Sequence, residues 1–250
     1  MLIDSHCHVL SSEYDNVDEI IKDSINSGVE KIIVNGYDLK TSKEAVELAN
    51  KYDHVYAAVG IGPSNVTDVN DETYDIISKL AKESKVVAIG EVGLDYYWTT
   101  ENKEMQLKVF KTMLKIAKTN NLPVIVHCRK SFLDTYNLLK ESDLTGIIHC
   151  YSGSVDMAKR FIKLGFLLGI GGVITFKNAK SLKDVVKAID INNFSLETDS
   201  PYLTPEPYRG KPNTPKNVKL VATEIANIKQ VNLDEVIRVT GRSVCSKFDL

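Results

Sequence analysis

The sequence has no apolar run near the roughly 18 residues that span a bilayer, and no basic segment leads into an apolar one at its N-terminus. No membrane anchor or secretory leader is expected, and the cytoplasm is the default compartment. Four cysteines occur without a CxxC pair, which does not suit a disulfide framework. Charge of one sign is also missing. Lys and Arg number 31 against 33 Asp and Glu, a net of −2. No whole-molecule field recruits a polyanion, so a nucleic acid would have to be held by a local cluster or by metal ions. There is no internal repeat, low-complexity tract or interdomain linker. What remains is ordinary globular composition, 43% hydrophobic and 26% charged over 250 residues, enough for one large core.

Short β-rich runs alternate with amphipathic stretches from end to end. Strands are expected at 2–8, 31–35, 55–60, 86–92, 123–127, 146–150, 166–171 and 194–198. Helical periodicity covers 17–27, 41–51, 72–83, 101–119, 130–141, 154–163, 179–189 and 214–228, with a short tail helix at about 232–240. Gly28, the Asn120-Asn121 pair and Gly165 serve as stop signals. Eight βα units in one chain of this length predict a single α/β domain over 1–250, a (β/α)8 TIM barrel. A doubly wound sheet is the runner-up, but the Gly-rich turn it usually carries after its first strand is absent. The Pro-rich stretch from Pro201 to Pro215 follows the last strand and is placed to lie across the barrel mouth.

The first strand ends in His6-Cys7-His8. Alternation along a strand puts the two imidazoles on one face and Cys7 on the other. Cys128 and Cys150 each follow a histidine in the same way, so all three thiols read as small filler between barrel and helices. Glu91, His127, His149 and Asp199 stand at or next to the ends of strands 4, 5, 6 and 8. All six polar residues therefore fall on the C-terminal rim, where barrels of this kind build active sites. Only His54 of the five histidines lies elsewhere. Singly, His127 or His149 reads as readily as a hydrogen-bonded core residue, and Asp199 as a turn former. Glu91 is costly to bury unpaired, which favours a cation beside it. Four histidines with two carboxylates can hold two divalent ions, one carboxylate bridging. The mixture suits zinc, manganese or similar metals better than calcium. Such a pair polarises a phosphoryl or carbonyl group and makes hydroxide from water near neutral pH, and an Asp beside that water can take its proton.

Six segments in order resemble one family. They are Asp4-Ser5-His6-Cys7-His8, Gly90-Glu91-Val92-Gly93-Leu94-Asp95-Tyr96, Leu122-Pro123-Val124-Ile125-Val126-His127-Cys128-Arg129, His149-Cys150-Tyr151-Ser152-Gly153-Ser154, Gly171-Gly172-Val173-Ile174-Thr175-Phe176-Lys177 and Glu197-Thr198-Asp199-Ser200-Pro201-Tyr202-Leu203, closed by Arg209-Gly210-Lys211-Pro212-Asn213. Across essentially the whole chain the sequence resembles the TatD-family metal-dependent deoxyribonucleases of the amidohydrolase-like superfamily. The resemblance implies that His6, His8, Glu91 and Asp199 surround one ion, while Glu91, His127 and His149 hold a second, the metals being Zn, Mn, Mg, Co or Ni. Asp199 and Glu91 are the catalytic carboxylates it implies, Glu91 as bridge and Asp199 orienting or deprotonating the attacking water. It implies mainly exonucleolytic hydrolysis of DNA. One departure stands out: Gly62 in Gly60-Ile61-Gly62-Pro63 occupies the place of a histidine common in the family. Ser243 likewise replaces a usual Asn.

Arg129, Arg209 and Lys211 are expected to hold phosphate at the rim, a guanidinium being suited to a two-point grip. Tyr151, Tyr96, Tyr97 and Trp98 either stack on unpaired bases or pack the barrel mouth. Lys177, Lys180 and Lys183 read as a solvated helix face. The partner expected is DNA with single-stranded or frayed ends, with no membrane and no obligate protein partner. An ester or amide hydrolase acting on a small-molecule or aminoacyl substrate uses the same parts, since specificity lies in the loops. A catalytically silent scaffold would show lost ligands, and none is lost.

Overall fold

Runs rich in Val, Ile and Ala become strands, and each amphipathic stretch between them packs its apolar face on the outside of the sheet. The computed structural model describes residues 1–98 and 100–250. The strands are β1 (Ile3–Cys7), β2 (Lys31–Asn35), β3 (Val55–Val59), β4 (Val86–Asp95), β5 (Val124–Arg129), β6 (Gly146–Ile148), β7 (Phe166–Ile170) and β8 (Phe194–Leu196). They form one parallel sheet in sequence order. The helices are α1 (Val17–Asn26), α2 (Leu39–Lys51), α3 (Asp71–Leu80), α4 (Lys103–Asn120), α5 (Phe132–Ser142), α6 (Val155–Lys163), α7 (Lys180–Ala188), α8 (Val218–Lys229) and α9 (Leu233–Phe248). The architecture is the expected (β/α)8 barrel. No helix among the described residues is long and apolar enough to cross a membrane.

Local chemistry sets the helix ends. Asn16, Asp38, Asn70 and Ser154 cap α1, α2, α3 and α6 by accepting from a backbone N–H of the first turn. Asn121 takes the left-handed conformation that ends α4. Four boundaries in particular differ from the sequence reading. β4 runs on to Asp95, because it pairs with β5 through Asp95 and Arg129. β6 and β8 stop early, at Ile148 and Leu196. The tail helix continues to Phe248, since Val244 and Phe248 join Ile3, Ile33 and Ala88 in the cluster that plugs the N-terminal end of the barrel.

A parallel barrel must join its first strand to its last. Here the seam is made just beyond the strand ends: the His8 N–H donates to the Ser200 carbonyl (2.7 Å) and the Asp199 N–H to the His6 carbonyl (2.9 Å). Buried side chains reinforce it. Ser5 Oγ donates to the Leu196 carbonyl (3.0 Å). The Asp4 carboxylate accepts from the Thr198 N–H (3.0 Å) and hydroxyl (2.6 Å). The Pro201–Pro215 connection is tied to the same seam, as the Asn213 side-chain amide donates to the carbonyls of Thr198 and Tyr202.

Strand pairing shifts register at three places, one between β3 and β4 at Ala57 and Ala58 and two next to polar residues of the rim. β1 shifts register between Asp4 and Cys7, and β4 between Ile89 and Val92. Ile3 belongs to the inner cluster, whereas Cys7 belongs to the outer layer under the helices. The shift lets β1 bury Ile3 inside the barrel and still turn His6 and His8 inward.

Asp4→Ala leaves two buried donors of Thr198 without a partner, and is expected to cost about 3 kcal/mol in guanidinium denaturation of metal-free protein. Asp4→Asn, which keeps an acceptor for the backbone N–H, should cost clearly less. Equal losses would show that the seam does not depend on these hydrogen bonds.

Candidate metal centre

The six rim residues converge. His6 Nε2 and His8 Nε2 lie 3.2 Å apart, with the rings edge to face. Glu91 Oε2 faces this pair, 3.6 Å from His6 and 3.2 Å from His8. Asp199 Oδ1 closes the group at 3.5 and 3.6 Å from the same two nitrogens. The other oxygen, Glu91 Oε1, meets His127 Nδ1 at 2.7 Å and His149 Nε2 at 3.3 Å. One carboxylate thus divides its two oxygens between two histidine pairs. The halves also touch, as His6 and His149 stack with centroids 3.9 Å apart. His54, as expected, stands apart and exposed, bonded to the Glu30 carbonyl.

Behind these groups sits a backing layer that periodicity did not single out. Asp95 Oδ2 lies 2.9 Å from His127 Nε2, so it orients that ring and leaves Nδ1 toward Glu91. Asp95 is itself held by Gln106 of α4, whose side chain bonds both its N–H and its carbonyl. His8 Nδ1 donates to the Asn35 carbonyl (2.9 Å), which frees Nε2 for the centre. Glu197 is fully buried, accepts from the Cys150 N–H and lies 3.5 Å from His149 Nδ1. Both had a sequence signal: Asp95 lies at the end of the motif containing Glu91, and Glu197 shares strand parity with Asp199. Two glycines make room. A Cβ on Gly93, at φ +144°, would fall on the His127 carbonyl, and one on Gly169 would fall on the Glu197 carboxylate.

Burial by itself would lower the pKa of His8, His127 and His149. The carboxylates outweigh it: Glu91 raises His8, Asp95 with Glu91 raises His127, and Glu91 with Glu197 raises His149 well above the ordinary imidazole value. Conversely, burial would raise Glu91, but His149 and the hydrogen bond from His127 hold it well below the usual carboxylate range. Asp199 is lowered against burial by His6 and His149. These shifts favour positive charge between the carboxylates. Imidazole nitrogens facing one another across 3.2–3.3 Å, with carboxylate oxygens beside them, fit divalent cations. Three subsets have ligand atoms all within 4.8 Å of one another: His6, His149, Asp199; His6, His8, Glu91; and Glu91, His127, His149.

The centre opens into a cavity of about 730 Å³. Arg129 and Trp98 line one side, Tyr37 and Tyr202 another. Gly62 also lines it, and Tyr37 fills the space beside it. The Tyr37 ring meets His8 edge-on at 5.4 Å, and a Cβ on Gly62 would come within 3.3 Å of Tyr37 Cβ. Tyr151 is not on the cavity wall. Its ring is 2% exposed, packs on Phe132 and Phe161, and its hydroxyl donates to the Ser154 carbonyl, so it is a core residue rather than a substrate contact. Arg209 lies over the Phe176 ring, and neither it nor Lys211 is among the described residues lining the cavity. Cys150 does border the cavity, against expectation. β6 has ended at Ile148 and Cys150 takes φ +45°, so alternation no longer governs it. Cys7 turns away as expected, toward the Ile33 carbonyl. Lys183 is engaged by Glu224 at 2.8 Å.

Raised imidazole pKa values make metal uptake compete with protons. Cation binding at pH 7 should release protons, and affinity should climb as pH rises through those values. Calorimetry in buffers of unlike ionisation enthalpy reads this directly, and an identical heat in every buffer would contradict it. Asp95→Asn, which loosens His127 without removing a ligand atom, should weaken metal binding about 10–100-fold in the same titration.

Comparison with known proteins agrees with the geometry. The family model described as TatD related DNase matches residues 3–249. The uncharacterized metal-dependent hydrolase YabD of Bacillus subtilis is 42% identical over 99% of both chains. YcfH of Escherichia coli, of the same description, is 36% identical over 100% of this chain and 96% of its own. The crystal structure of YjjV, a TatD homologue from Escherichia coli, superposes with a TM-score of 0.91 at 30% identity, covering 100% of this chain and 98% of that one. A metal-dependent hydrolase fold, a cluster able to bind metal at the barrel rim and a full-length match converge on one assignment: the chain belongs to the TatD-related DNase family.

Proposed function

We propose that this protein is a divalent-metal-dependent deoxyribonuclease that hydrolyses phosphodiester bonds from single-stranded or frayed DNA ends. The observation that carries the reading is the Glu91 carboxylate, with Oε2 toward His6 and His8 and Oε1 toward His127 and His149. In this reading one ion would be held by His6, His8, Glu91 and Asp199, and a second by Glu91, His127 and His149. Zn, Mn, Mg, Co or Ni suits the set. Divalent ions there supply charge to the phosphoryl oxygens and a water nucleophile at neutral pH.

The chain's own residues supply the rest. Glu91, Asp95 and Asp199 line the cavity, with Glu197 buried behind His149, so a phosphodiester is admitted only when cations offset them. Asp199 turns Oδ1 to His6 and His8, which leaves Oδ2 to accept the proton of the attacking water. As the new P–O bond forms, the bond to the departing sugar oxygen breaks, and that oxygen takes up a proton. Arg129, at the cavity wall one strand position beyond Cys128, is placed to grip a neighbouring phosphate. The near-neutral chain offers few such contacts, which suits a weak, sequence-tolerant binder. Four free cysteines accord with a cytoplasmic location.

End-labelled single-stranded DNA incubated with the manganese-, magnesium-, zinc- or cobalt-loaded protein should lose nucleotides progressively from an end. Asp199→Asn should lower kcat about 10²–10⁴-fold, and Glu91→Ala should abolish turnover. If the wild type releases nothing with any of these metals but cleaves carboxyl esters or lactones, the substrate is not DNA.

A further inference from the structure

The loop after β4 carries the chain's single tryptophan. Trp98 is 73% exposed and borders the same cavity as Glu91, His127 and Asp199. Tyr97 beside it is 52% exposed and meets the indole edge to face, centroids 5.0 Å apart. Arg129 comes from β5, two residues beyond His127, and lays its guanidinium 3.9 Å above the Tyr97 centroid and 5.3 Å from that of Trp98. Arg129 makes no ion pair among the described residues, so its donor edges remain for a ligand. Other rim aromatics are already engaged. Tyr96 lies under Lys103 and gives its hydroxyl to Asp134, and Tyr151 is buried.

An indole 73% exposed at the lip of the cavity leaves a large apolar face unsatisfied. A guanidinium stacked on an aromatic ring is orientated but keeps its N–H groups free, which suits a phosphate. A flat apolar face with an unpaired cation beside it matches a nucleotide, base on the ring and phosphate on the guanidinium. We propose that Trp98, Tyr97 and Arg129 form an outer subsite that seats one unpaired base and its adjacent phosphate, and so selects single-stranded DNA. The inference rests on the nuclease reading above. Selection follows because a base in a duplex is stacked on both faces and must be unpaired, at a cost, before it can lie on Trp98. Base stacking is sequence-tolerant, since every base has a π-face.

The sole tryptophan makes the test direct. A phosphorothioate-linked oligothymidylate, which resists hydrolysis, should quench the indole emission of the manganese-loaded wild type as it binds. In anisotropy with the same labelled oligomer, Trp98→Ala should weaken binding about 5–150-fold, and Trp98→Phe should recover most of it. On cleavable single strands Trp98→Ala should raise KM with kcat little changed, as expected for loss of binding common to ground and transition states. A blunt-ended hairpin should bind weakly to all three. If the oligomer binds and cleavable single strands are cut, but Trp98→Ala behaves as wild type or the indole emission does not change on binding, the subsite is wrong while the nuclease reading stands. If the wild type neither binds nor cleaves single strands, that reading falls and takes the subsite with it.

Discussion

A sheet of parallel strands is complete only when its first and last edges find each other, and in this barrel that seam lies where the chemistry is. The hydrogen bonds that close it, His8 to Ser200 and Asp199 to His6, belong to the same residues whose side chains face the centre. Asp4 and Thr198 lock the seam one layer below. Residues nearly two hundred positions apart are thereby set a few ångströms from one another. The metal centre is in this sense a by-product of barrel closure, and anything that opens the seam separates His6 and His8 from Asp199.

Glu91 then ties the two halves of the rim. It reaches both histidine pairs because β4 breaks its register before Val92 and then runs on, paired to β5, as far as Asp95. The extension serves twice, since Asp95 at its end orients His127 from behind. Gln106 fixes Asp95 in turn, so α4 contributes to the geometry of the site without touching its cavity. A buried group of four imidazoles and several carboxylates would be expensive if its charges did not alternate. Here each carboxylate of the centre faces imidazole nitrogens, and the pKa shifts run in the direction that keeps the two kinds of group oppositely charged.

Around this centre the cavity has two unlike walls. On the β1 and β8 side, Tyr37 and Tyr202 share the Glu13 carboxylate through their hydroxyls and pack edge-on toward His8. That wall is tied down. On the β4 and β5 side, Trp98, Tyr97 and Arg129 pack against one another, the two rings edge to face, with faces and donors unspent. The asymmetry gives the cavity one flank tied down and one left open.

Much of this was legible from residues alone. Alternating periodicities revealed eight βα units, Gly28, the Asn120-Asn121 pair and Gly165 marked the ends of three helices, and every rim ligand candidate could be named, because strand-end position and residue type are local properties. Local rules failed wherever a distant partner decided the outcome. Alternation over 2–8 predicts the common face of His6 and His8 but not the register shift that lets Ile3 point inward as well. Alternation beyond Ile148 predicts a hidden Cys150, whereas the chain has left the strand. Tyr151 follows a rim strand and looks available, yet Phe132 and Phe161 enclose it. The tail helix outruns its own periodicity because the open end of the barrel needs covering. The sequence by itself determined the barrel and its candidate ligands, through periodicity and the chemistry of six side chains. Only the tertiary structure decided which oxygen of Glu91 serves which histidines, which carboxylates stand behind them, and which aromatic ring is left bare, because those depend on contacts between residues far apart in the chain.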